Sequence, residues 1–221
     1  MSKSGEALSK ALVVAPNAAL SVFRTIMDVA IDGAGPLPGA RKAAGATLNR
    51  KGEIEAAIDA LVRNHIGMAG AQGFLANLGG WVTIPVALPA NMSALATLQA
   101  RMVAAISHLR GYDVDDPRVR TAIFTCLLTQ DSVDELIRNE KIPSTPMAMA
   151  TAPVSDPELE KTVATHVVET LGSLATGKRV AVIGMKKIPL LGGGIGAGTD
   201  GMATWQVARY AKEQFPSRRM G

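Results

Sequence analysis

Cysteine is almost absent from this chain of 221 residues. The single Cys126 excludes an internal disulfide framework and any cysteine-rich metal site. Aromatic residues are scarce too, at 4%. That removes the stacking platform a single-strand nucleic-acid binder needs, so no nucleic-acid partner is expected. Ala, Gly, Leu and Met dominate the apolar share of 48% instead. Such residues favour close helix–helix contact over a β-sandwich. The most informative lack is one of charge: no Asp, Glu, Lys or Arg occurs from Asn64 to Ala100. Charged side chains sit almost always at the surface. This stretch is therefore either the buried centre of the fold or a surface that meets lipid.

Signatures of catalysis are missing as well. His65, His108 and His166 are too scattered for a zinc pair on one helix turn. There is no Gly-x-Ser-x-Gly elbow. Cys126 lies among Phe124, Leu127 and Leu128, which predicts burial, not reactivity. Asp113-Val114-Asp115-Asp116 lacks the glycine and the distal glutamate of a calcium loop, and Pro117 makes Asp116 a helix cap. Gly196-Ala197-Gly198-Thr199-Asp200-Gly201 spells a dinucleotide fingerprint, but too few residues follow for the second strand and its ribose-binding acid. No catalytic residue, metal or cofactor is expected, and the sequence leans away from an enzyme. Glu6 and Lys10 interrupt the first apolar residues, so no signal-peptide run is present and a cytoplasmic protein is expected.

What is there reads as helix nearly throughout. The spacing predicts helices over Glu6 to Val14, Ala18 to Ile31, Ala43 to Asn49, Glu53 to about Leu78, Ala90 to Leu109, from Pro117 on, Ser132 to Arg138, Pro157 to about Ala175, and from Gly192 or Gly201 to Gln214. Val180 to Gly184 suits a short strand without an evident partner. An all-α, single multi-helix domain follows, with a central uncharged helical hairpin and a glycine-rich C-terminal helix. Residues 1–50 read as a segment packing on a core formed by 51–221. The Pro/Met/Thr-rich stretch 143–157 reads as a linker.

Two features point toward membranes. Gly79-Gly80, Pro85 and Pro89 break the uncharged stretch, so two buried helices with a tight link fit it better than one span; a hairpin dipping into one leaflet is intermediate. Gly192, Gly196 and Asp200 form one helical row, and Gly193, Ala197 and Gly201 the next. Small residues at that step admit a second helix, from a partner, from a second copy or from the chain itself. Lys186 and Lys187 flank this run, and with a net charge of +4 they suit an anionic lipid surface. The candidates for lipid contact are Trp81, Val82, Ile84, Lys186, Lys187, Leu190 and Leu191.

Several strings together resemble the EcsC protein family of bacteria. They are Gly73-Phe74-Leu75, Leu78-Gly79-Gly80, Pro85 to Asn91, Gln99 to Ile106, Gly111-Tyr112-Asp113, Asp116 to Thr121, Ile188 to Gly196, Asp200, Thr204 and Ala211 to Phe215. The resemblance implies a helical protein of a family named for a member encoded beside an ABC transporter, and it carries over no catalytic residue. Three functions remain open: a non-enzymatic protein at the inner face of the cell membrane, a soluble module binding an apolar ligand or a partner helix, and an uncharacterised enzyme. The polar residues within the matching strings are Arg101, Asp113, Arg118, Asp200 and Thr204. Arg101 and Asp200 are expected as a buried ion pair.

Overall fold

The computed structural model describes residues 16–70, 90–175 and 197–219. Among these residues there are nine helices and one two-stranded sheet. In chain order they are α1 (Pro16–Asp32), β1 (Gly33–Ala34), β2 (Leu37–Pro38), α2 (Ala40–Lys51), α3 (Ile54–Gly70), α4 (Ala90–Leu109), α5 (Pro117–Thr125), α6 (Gln130–Arg138), α7 (Pro146–Ala150), α8 (Pro157–Ala175) and α9 (Ala197–Gln214). All seven candidates for lipid contact, from Trp81 to Leu191, lie outside the described residues. So do the helix expected over Glu6 to Val14, the strand expected over Val180 to Gly184, and Gly192, Gly193 and Gly196.

The fold is all-α and organised around α4. From Ala94 to Ser107 every side chain of this helix is buried. It packs against α1, α2, α3, α5, α8 and α9. A helix surrounded on nearly all sides is apolar or neutral nearly all round, and Arg101 is the charged exception here. This explains why 94–100, the described end of the uncharged stretch, carries no charge. α1 belongs to the same core: Phe23 meets Phe124 of α5 edge to face at 4.9 Å, while Arg24 and Asp28 are exposed, as its spacing predicts.

Helix starts follow the capping rules. The Asp116 carboxylate accepts the Arg118 backbone N–H at the start of α5 (2.9 Å), and Asp156 accepts from Glu158 and Leu159 at the start of α8. The 143–157 stretch carries α7, whose buried Met149 and Ala150 pack it against α5.

The short sheet is the element that helical spacing does not announce. Gly33–Ala34 pairs antiparallel with Leu37–Pro38, folding the chain back after α1. Gly33 has φ +91°, a left-handed conformation that favours glycine. Gly39 is needed for closeness: a Cβ there would lie 2.2 Å from the Ile31 carbonyl oxygen. This tight return places the Pro38 carbonyl beside the middle of α4.

Candidate functional site

Two buried arginines belong to the central helix and its end, and they are satisfied differently. Arg110, just past α4, meets the Glu55 carboxylate through Nε (3.1 Å) and Nη2 (2.9 Å). Its Nη1 donates to the Lys212 and Phe215 carbonyls. Arg101 has no carboxylate among the described residues, although only 5% of it is exposed. Its Nε donates to the Pro38 carbonyl at 2.6 Å, and its Nη1 to His65 Nε2 of α3 at 2.8 Å.

The partners dictate the state of His65. A carbonyl only accepts and a guanidinium only donates. Nδ1, 2.7 Å from the Leu61 carbonyl, therefore carries the proton, and Nε2 offers its lone pair to Arg101. Protonating Nε2 would set two donors against each other. Burial first, and then the Arg101 charge, hold the His65 pKa down at about 4, against the opposing pull of the Leu61 carbonyl. Burial also draws the Arg101 pKa down. A buried guanidinium needs hydrogen bonds and an opposite charge; here it has the former without the latter.

Arg101 and His65 form the floor of an open groove of about 850 Å³ between the hairpin, α2 and α3. Lys42, Arg50 and Arg63 line it as well, all exposed. Its apolar wall includes Pro36, Leu37, Leu61 and Met68, and among the described residues no acidic one lines it. Among the described residues none of the four cations is ion-paired, whereas Arg24, Arg41, Arg110, Arg118, Arg120 and Arg209 all are. Asp59, one helical turn before Arg63, is engaged by Lys212. Cations that converge without a counter-charge concentrate anions. A guanidinium also offers the planar fork that matches a carboxylate or phosphate.

The other polar candidates occupy separate places. Arg118 holds the Asp116 carboxylate and the Ala152 carbonyl, tying the start of α5 to the end of α7. Its hydrogen bond is the main cause that lowers the Asp116 pKa. Asp113 is exposed and accepts from the Asp115 backbone N–H. Thr204, fully buried, accepts from Gln99 at 3.3 Å. Gln99 and Arg101 are two residues apart on α4, roughly 200° around the helix, so they serve opposite sides. Asp200 is half-buried, its pKa raised by desolvation. The expected Arg101–Asp200 ion pair is corrected: Arg101 is turned to α3 and the hairpin, where His65 and Pro38 take its hydrogen bonds. No hydrogen bond or ion pair joins any two of the five candidates. Among the described residues no group of His, Cys, Asp or Glu is placed to hold a metal ion.

Sequence reasoning found Arg101 but missed the residues around it. Its surroundings are non-local: β2, α2 and α3 supply them. One signal was present. The uncharged stretch is bounded by Arg63 and Arg101, and both boundary cations line this groove.

Among known proteins, the model of the EcsC protein family matches residues 40–220. No curated protein and no solved structure matches the chain.

Proposed function

This chain belongs to the EcsC protein family, and we propose that it is a non-enzymatic helical binding protein that works peripherally at the anionic inner face of the cell membrane. The observation that carries this reading is the groove in which Lys42, Arg50, Arg63 and Arg101 converge with no acidic residue among those described. Lys186 and Lys187 add to the same charge balance in sequence, beside the uncharged run from Ile188 to Thr199. Clustered cations draw a protein to anionic lipid by about 1 kcal/mol per residue near the surface. No helix among the described residues is long and apolar enough to cross a membrane.

Vesicle flotation tests it. The full chain should float with vesicles containing phosphatidylglycerol, stay behind with phosphatidylcholine alone, and be released by high salt as screening shortens the reach of the charges. Recovery in the soluble fraction with both vesicle types would overturn it.

The apolar wall of the groove favours a second reading, a soluble module that holds an apolar ligand between its elements. Lipid copurifying with a protein that ignores vesicles would support that reading. Self-association through the Gly192–Gly201 row has less behind it. Gly201 faces Ile66 of the chain's own α3, where an added Cβ would lie 3.7 Å from that side chain.

A further inference from the structure

We infer that Arg101, oriented by His65 and the Pro38 carbonyl, is the receptor for the single anionic head, phosphate or carboxylate, of an amphiphile whose apolar chain lies along Leu37, Leu61 and Met68. This deepens the proposed function by naming a ligand class and its site, and it rests on the same groove. Two of the five guanidinium N–H groups are used: Nε–H on Pro38 and one Nη1–H on His65. Both on Nη2 and the second on Nη1 meet no acceptor among the described residues. Outside those residues the chain carries one acidic side chain, Glu6. The protein therefore supplies a preoriented cation with donors to spare and almost no means of neutralising it.

The holding groups fit that role. A carboxylate partner would cancel the charge that attracts an anion. A neutral imidazole and a carbonyl fix the guanidinium in one orientation and leave its charge whole. His65 is thus a positioning residue. Lys42 and Arg63 at the rim add long-range attraction, while the apolar wall separates an amphiphile from inorganic phosphate.

Binding of dodecyl phosphate and of decanoate, both as monomers below micelle formation, tests the inference on the full chain. Inorganic phosphate and dodecyl maltoside serve as comparisons. The alkyl anions should bind saturably, inorganic phosphate far more weakly and the maltoside not at all. Arg101→Met should weaken the anions by about tenfold or more, the loss of one or two charge-assisted hydrogen bonds. If that variant fails to fold, the wild-type protein decides: the His65 ring resonances must shift in step with dodecyl phosphate and stay fixed with the maltoside. His65→Phe, which leaves the charge but not its orientation, should weaken binding less than Arg101→Met.

Unchanged affinity in a folded Arg101→Met, or unmoved His65 resonances at saturation, would overturn the site. So would a Glu6→Gln variant that binds where the wild type does not, since the chain's own carboxylate would then be the occupant. The two proposals can fail apart. Monomer binding without flotation removes the membrane reading and keeps the site. Flotation that Lys42→Ala and Arg63→Ala abolish but Arg101→Met spares keeps the surface and removes the receptor.

Discussion

Arg110 and Glu55 meet fork to fork, at 3.1 Å and 2.9 Å, at the end of the central helix. The pair is asymmetric: Glu55 is half exposed, while the arginine side chain is 11% exposed. Arg110 also holds two carbonyls of the C-terminal segment, and its own carbonyl accepts the Arg218 N–H at 2.8 Å. The edge contact of Tyr112 with Phe215 at 5.0 Å completes the clamp.

Removing the two partners should therefore cost different amounts. Glu55→Ala loses an ion pair open to water, about 1 kcal/mol or less. Arg110→Ala also leaves the Lys212 and Phe215 carbonyls without their donor, which raises the cost to about 2–4 kcal/mol. Urea unfolding of both variants checks the order. Equal losses would show that the carbonyl bonds contribute nothing.

Stability should fall with acid in a window set by His65. Its ordinary pKa is 6.5 and its folded value about 4. Between the two, the unfolded chain binds a proton that the folded chain excludes. The contribution is whole above pH 6.5, declines as the pH falls, and is spent near pH 4. Its size is on the order of 3 kcal/mol. Asp59 and Asp116 have folded values below the carboxylate norm of 3.8, so their losses come at lower pH. Denaturant midpoints across pH 4 to 7 check it, with His65→Gln expected to flatten the slope.

Two glycine-to-alanine changes should act in opposite directions. At Gly39 the new Cβ would overlap the Ile31 carbonyl, and forcing the hairpin open should cost about 1–3 kcal/mol or more. It should also displace the Pro38 carbonyl from Arg101. At Gly201, inside α9, the Cβ meets ordinary contacts with Ile66 among the described residues. Alanine there should stabilise by about 0.5–1 kcal/mol through helix propensity. Thermal melts separate the two; destabilisation by Gly201→Ala would restore a packing role for that small residue.

Asp116→Ala should cost about 1–2 kcal/mol, because the carboxylate caps α5 and holds Arg118. Asp116→Asn keeps the cap and loses the ion pair, so it should cost less. Chemical denaturation of the pair measures the difference, and equal losses would assign the effect to charge alone.

The helices were legible where a single surface faced the core. α4 spans Ala90 to Leu109 as its spacing predicts, and α1 buries Phe23, Ile26 and Met27 while exposing Arg24. Asp116-Pro117 and Asp156-Pro157 announced their helix starts because capping is chemistry between neighbours in the chain. The hairpin at Gly33 to Pro38 was not legible, since Gly and Pro mark a turn without saying what pairs across it. Nothing local in the sequence marked the role of His65: its bond to the Leu61 carbonyl lies within one helical turn, but its other nitrogen is claimed from thirty-six residues away.

By itself the sequence determined the helical class, the Asp116 cap and the burial of Cys126. Periodicity and capping act within a few residues. Only the tertiary structure decided that Arg101 lies beside His65, Pro38 and the cations of α2 and α3, with no acid among the described residues that line the groove. The energy of a buried charge depends on what surrounds it in space, and those surroundings come from three separate elements that no local pattern ties together.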